Sequence, residues 1–118
     1  WSEAVEAYAN AVKNFEQNPP EMHNRPAVLL DIKGHLHIAE FKSGDESAIK
    51  KAEEIVKELE GTEELSDYNK KAWISGAYLR LAEATKSKEY LDKAKEVIDS
   101  DPRLKLRQGQ YQKLAEQI

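Results

Sequence analysis

Cysteine is missing from this chain of 118 residues. Its absence excludes disulfides, zinc-thiolate sites, iron–sulfur clusters and cysteine nucleophiles. It leaves the cellular compartment open, because a chain without cysteine is equally compatible with oxidising and reducing surroundings. Glycine and proline are also scarce, with 5 and 4 residues, so long stretches run without a break. The length predicts one domain, residues 1–118, whose core needs neither disulfides nor a metal.

The sequence has no excess of basic residues and no long apolar run. Lys and Arg number 18 against 22 Asp and Glu, which gives a net charge of −4. Proteins usually bind nucleic acids and anionic membranes through a basic face, so we expect no nucleic-acid partner. We also expect no membrane insertion, since the longest apolar run, residues 27–30, is far shorter than the roughly 18 to 20 residues that cross a bilayer. The start at Trp1, without Met or a signal-peptide pattern, predicts a piece of a longer chain.

Motifs for catalysis and for cofactors are absent as well. There is no nucleophile elbow, no HExxH and no phosphate-binding glycine loop, and the carboxylates are spread over helix surfaces. We therefore predict no enzymatic activity and no cofactor. Asp31 and His35, four residues apart, could supply two metal ligands, but the sequence places no third one, so no metal site is predicted. His35 is better interpreted as a packed residue with a ring nitrogen on a neighbour.

Apolar residues recur at spacings of three and four, which is typical of amphipathic helices, and no strand alternation is found. The pattern predicts an all-α fold of about six helices, at residues 2–17, 26–42, 45–60, 67–85, 88–100 and within 103–118. Predicted N-caps are Ser2, Asn24, Ser66 and Ser87, and Ser43 with Glu46 has the spacing of a capping box. Predicted stops are Asn18-Pro19-Pro20, Gly61 and Asp101-Pro102.

Three of these helices share one apolar template, with identical offsets at five positions. The template positions are Ala4, Val5, Tyr8, Ala11 and Val12; then Ala48, Ile49, Ala52, Ile55 and Val56; then Tyr90, Leu91, Ala94, Val97 and Ile98. The helices between them also correspond, because residues 34–40 align with residues 77–83 at a constant shift of 43. The repetition favours a stack of helical hairpins.

The repeated helices resemble tetratricopeptide repeats. Trp1, Ala4, Tyr8 and Ala11 match the aromatic and small positions of the family's second helix. Residues 88–100 followed by Asp101-Pro102 resemble the same helix with its closing Asp-Pro, and residues 72–78 resemble the first helix. The chain departs from the family in its period of 42 to 44 residues, against about 34, and in helix 2, where Leu and His replace the signature aromatic and glycine.

The resemblance implies a right-handed superhelical stack of antiparallel helix hairpins, with helix 6 as a cap. It also implies a concave groove, lined by first-type helices, that holds an extended peptide or a helix of a partner. Helices 2 and 4 each carry one polar stripe on an otherwise apolar surface. The residues of each stripe lie within about 60° of one another around the helix axis. The predicted partner-binding residues are Lys33, His37 and Glu40 on helix 2 and the matched Gly76, Arg80 and Glu83 on helix 4.

The predicted function is non-enzymatic binding of a protein or peptide. The cations of the stripes would take carboxylates and the two glutamates would set the register, so the expected ligand carries both charges. The simpler explanation of the stripes is the strip of surface that any packed helix leaves exposed to solvent. Two further alternatives are a structural spacer or self-assembly module that uses the ends of the stack, and a small enzyme or ligand-binding bundle.

The sequence predicts an apolar face and several basic residues in and just before helix 6. We expect Leu104, Leu106, Tyr111 and Leu114 to form its apolar face. We expect its basic residues to be solvated, with contact to an acidic partner as the alternative; they are Arg103, Lys105, Arg107 and Lys113.

Overall fold

The structure is a computed structural model that describes residues 2–18, 25–62 and 65–118. Over these residues the fold is all-α. The helices are α1 (Ser2–Gln17), α2 (Arg25–Lys42), α3 (Ala48–Glu60), α4 (Asp67–Thr85), α5 (Lys88–Asp99) and α6 (Lys105–Gln117). The predicted all-α fold of about six helices is confirmed. The predictions for Trp1, Pro19, Pro20 and Asn24 lie outside the described residues.

Two of the predicted N-caps are present. Ser66 precedes α4 with an extended backbone, and its hydroxyl accepts a hydrogen bond from the Asn69 N–H at 3.2 Å. Ser87 precedes α5 in the same way and accepts from the Glu89 N–H at 3.2 Å. Each hydroxyl satisfies an N–H that has no partner within the first helical turn, which is typically worth about 1 kcal/mol.

The capping box predicted for α3 is wrong. The Ser43 hydroxyl donates backwards, to the Glu40 carbonyl at 2.8 Å. The chain then turns at Gly44, whose φ of 119° is accessible to glycine alone. Asp45 binds both the N–H and the hydroxyl of Ser47, at 3.1 and 2.6 Å, and α3 begins only at Ala48. These hydrogen bonds from Ser47 to the short Asp45 side chain stabilise a turn at the residues where the first turn of α3 was predicted.

The chain divides into two compact units, Trp1–Glu64 and Leu65–Ile118. In the first unit α2 packs against both α1 and α3, whereas the described residues show no contact between α1 and α3. The template residues Ala48, Ala52, Ile55 and Val56 are buried on α3. The five template residues of α1 are only half-buried, because α1 has a single neighbouring helix among the described elements.

In the second unit α4, α5 and α6 all contact one another. The template residues Tyr90, Leu91, Ala94 and Ile98 of α5 are buried there. The core also contains Leu79, Leu81, Ala82, Leu104 and Leu114. The single domain predicted from the chain length stays a prediction.

The apolar face predicted for α6 is correct for Leu104 and Leu114, which are buried, and wrong for Leu106, which is 74% exposed. Leu104 precedes the first residue of α6, Lys105. Leu106 follows two positions later, where a helix places a side chain about 200° away from the side that Leu104 occupies. The side chain of Leu106 therefore projects into solvent.

Candidate functional site

The turn between α5 and α6 is held by a buried carboxylate. The side chain of Asp101 is only 5% exposed. Its Oδ1 accepts from the N–H of Arg103 at 3.0 Å and from the Arg103 guanidinium Nε at 2.9 Å. These hydrogen bonds hold the pKa of Asp101 far below its usual value. Asp101 is therefore ionised at neutral pH and fixes the point from which α6 departs.

The same arginine connects this turn to the start of α4. The Arg103 guanidinium lies over the ring of Tyr68, 5.0 Å from its centroid, and 3.9 Å from the Asp67 carboxylate. Its proximity to Asp101 and Asp67 raises the pKa of Arg103 further above its usual range. Arg103 therefore lies on the solvated surface, as predicted, and also stabilises the connection between α5 and α6.

A second arginine joins α6 to α4. The Nε of Arg107 donates to the carbonyl oxygen of Ala72 at 3.0 Å, and its Nη1 donates to Gln110 at 2.8 Å. The guanidinium lies directly against Gly76, where an added Cβ would come within 2.9 Å of Nη2. A glycine in the middle of a helix permits another group to approach the backbone of α4 closely. The group that makes this approach in the structure is Arg107.

The stripe predicted on α4 forms one wall of a surface cleft of about 310 Å³. We call this the α4/α6 cleft; its lining residues are Gly76, Leu79, Arg80, Glu83, Arg107, Gln110 and Leu114. The three predicted residues differ in exposure, since Gly76 is buried, Arg80 half-buried and Glu83 exposed. The structure therefore brings all three predicted α4 residues into one concave site.

The stripe predicted on α2 consists of half-buried side chains. The Nδ1 of His37 lies 2.6 Å from the Glu40 carboxylate, one helical turn further on. Lys33 lies one turn before His37 on the same helix face. The His37–Glu40 pair is thus already hydrogen-bonded within α2, and this limits the donors and acceptors that it offers to a ligand.

His35 has the packed environment predicted for it. Its ring stacks on Tyr8 of α1, with centroids 5.5 Å apart and an angle of 13° between the planes. Its Nε2 lies 3.7 Å from the Asp31 carboxylate. His35 therefore contributes to the contact between α1 and α2. No group of three or more His, Asp or Glu side chains in the described residues is placed to hold a metal ion.

A second concavity, of about 260 Å³, lies on the other side of α6, against α5. It is lined by Lys95, Ile98, Asp99, Gln108, Tyr111 and Gln112. The sequence predicted no site at any residue of this surface.

In the described part of the chain, no helix has both the length and the apolar character required to cross a bilayer.

The sequence did not place Arg107, Gln110 and Leu114 of α6 in one site with the stripe of α4. Arg107 was predicted to lie on the solvated face of a cap helix or, alternatively, to contact an acidic partner, and its position opposite a glycine on α4 depends on how the two helices pack. The available signal was Gly76, a residue without a side chain in the middle of a helix, which indicates that another group approaches closely there.

Comparison of the chain with protein-family models, with curated proteins and with solved structures finds no match.

Proposed function

We propose that the chain is a non-enzymatic scaffold that binds a protein or peptide, related to tetratricopeptide repeats by the sequence pattern of its helices. The observation that carries the proposal is the α4/α6 cleft, in which all three predicted residues of α4 lie beside side chains of α6. The tetratricopeptide resemblance implies a groove of this kind between first-type helices. The predicted role of Lys33, His37 and Glu40 on α2 is part of the same proposal.

The size and the lining of the cleft favour a short peptide segment over a small apolar ligand. Its volume of about 310 Å³ lies at the lower end of the roughly 300 to 1,000 Å³ of small-molecule sites. Leu79 and Leu114 are 7% and 8% exposed, so they offer little apolar surface. Arg80, Glu83 and Arg107 provide the charged contacts of the cleft, as expected for a site that selects a partner by charge.

Capture of a partner from an extract of the native source tests this proposal. The wild-type chain is compared with an Arg80→Ala/Glu83→Ala variant, and a Lys95→Ala/Gln112→Ala variant of the second concavity serves as the matched control. We expect the wild type and the control to retain the same partner and the cleft variant to lose it. A separate Lys33→Ala/His37→Ala variant measures the contribution of α2. Thermal melts establish that each variant is folded.

Two results would contradict the proposal. If only the control variant loses the partner, binding takes place at the second concavity. If the wild-type chain captures nothing, the alternative of a structural spacer or self-assembly module takes precedence, and the mass of the chain as a function of concentration then tests self-assembly.

A further inference from the structure

One hydrogen-bond donor in the α4/α6 cleft is oriented but unused. The Arg107 guanidinium is held by Ala72 and Gln110 through Nε and Nη1. No acceptor in the described residues pairs with its third nitrogen, Nη2. Contact with Gly76 fixes the position of this nitrogen in the cleft. A guanidinium that is already positioned loses little side-chain entropy when it binds, and its preferred acceptor is a carboxylate.

The cleft has a cation, Arg107, against Gly76 and a carboxylate, Glu83, further along α4. Arg80 lies between the two ends, four residues after Gly76 and three before Glu83. The exposed Glu83 follows seven residues after Gly76, which is about 10 Å along the axis of α4. A peptide in the extended polyproline II conformation advances about 3.1 Å per residue with three residues per turn, so side chains three residues apart lie on the same side and about this distance from each other.

We propose that the α4/α6 cleft binds an extended peptide segment in which an Asp or Glu and a Lys or Arg are separated by two residues. The acidic side chain binds Arg107 Nη2, and the basic side chain binds Glu83. The inference rests on the proposed function, because it specifies the ligand of the same site. It differs from simple attraction to any acidic peptide, since the overall charge of −4 repels acidic chains and the two poles select a spacing.

A phage library of randomised heptapeptides provides the test. It is selected on the wild-type chain, on Arg107→Gln and on the control Lys95→Ala, each shown to be folded by its melt. We expect the wild type and the control to enrich peptides with an acid and a base separated by two residues. Arg107→Gln should lose this enrichment.

A synthetic enriched peptide then gives the affinity by fluorescence anisotropy. Replacing its acidic residue by the corresponding amide should weaken binding to the wild type about tenfold or more. The same replacement should make no difference on Arg107→Gln. The comparison on the wild type changes the peptide alone, so it does not depend on how well the variant folds.

The outcomes separate the inference from the proposed function. Enrichment of peptides without this pair of charges, or a pattern that Arg107→Gln leaves intact, would overturn the inference while peptide binding stands. If the wild type enriches no peptide at all, both the inference and peptide binding by the cleft are overturned.

Discussion

Gly76 and Arg107 act as a pair that joins α4 to α6. Glycine within a helix costs about 1 kcal/mol relative to alanine, and Gly76 lies in the middle of α4. In return, the absence of a Cβ lets the Arg107 guanidinium reach the Ala72 carbonyl at 3.0 Å. The conformational cost of the glycine is therefore offset by a hydrogen bond from a charged group.

A double-mutant cycle measures this pairing. In the wild type, Gly76→Ala should change the free energy of unfolding by less than about 0.5 kcal/mol, because the gain in helix propensity is cancelled by displacement of Arg107. In an Arg107→Ala background the same change should stabilise by about 1 kcal/mol. Urea denaturation gives the values. Equal effects of Gly76→Ala in both backgrounds would show that the two residues are not coupled.

The contribution of Asp101 to the stability of the folded chain depends on pH. Its pKa is lower in the folded chain than the ordinary value of 3.8, chiefly because the Arg103 side chain donates to it. A lowered folded-state pKa stabilises the fold above the unfolded-state pKa, and this contribution is lost as the pH falls towards the folded-state pKa.

Asp101→Asn should therefore destabilise the chain at pH 7 and have a progressively smaller effect below about pH 4. Thermal melts of both proteins between pH 7 and pH 2 provide the measurement. Asp99→Asn, an exposed position two residues earlier, is the matched control and should leave the melting temperature nearly unchanged. A deficit in Asp101→Asn that stays constant down to pH 2 would contradict an ionic role for the carboxylate.

At the level of the helices, the end of α4 holds a residue in an unfavourable conformation. Lys86 has φ of 58° and ψ of 29°, the left-handed conformation that commonly ends a helix. Its N–H donates to the Ala82 carbonyl at 2.8 Å, which satisfies one of the last carbonyl groups of α4. The backbone geometry suits glycine, and lysine adopts it at a steric cost.

Lys86→Gly should stabilise the chain by about 1 kcal/mol, because it removes the steric cost at a position that glycine occupies readily. Lys95→Gly, an exposed substitution within α5, is the control and should destabilise by about 1 kcal/mol. Urea denaturation of the two variants and the wild type measures both effects. Destabilisation by Lys86→Gly would show that the lysine side chain makes a compensating contact.

For the molecule as a whole, the main architectural difference lies between the two units. In Leu65–Ile118 every helix packs against the two others, whereas in Trp1–Glu64 only α2 has two neighbouring helices among the described elements. A core enclosed by three mutually packed helices removes apolar side chains from water on all inner faces. The second unit therefore has the better basis for independent stability.

Residues 65–118 expressed alone should give a helical circular-dichroism spectrum and a cooperative thermal melt, although chains of this size are marginally stable. Leu81→Asp in this fragment is the control and should abolish the melt, because Leu81 is only 1% exposed and the substitution buries an unpaired charge. A wild-type fragment that does not fold would favour the single domain predicted from the length of the chain.

The helices and the buried faces of α3 and α5 were predictable from the sequence. A spacing of three and four is a local property, and a helix places those residues on one side whichever neighbour covers them. Ser66 and Ser87 were predictable for the same reason, since an N-cap interacts only with the first turn that follows it. At the start of α3 local rules competed, and the Asp45 turn displaced the capping box at Ser43.

The α4/α6 cleft depends on contacts between residues far apart in the chain. Arg107 reaches Ala72 across 35 residues, and the spacing of residues in the sequence contains no record of such a contact. Periodicity could therefore place Gly76, Arg80 and Glu83 on one face of a helix. Only the packing of α6 against α4 made that face one wall of a cleft and supplied Arg107 to it.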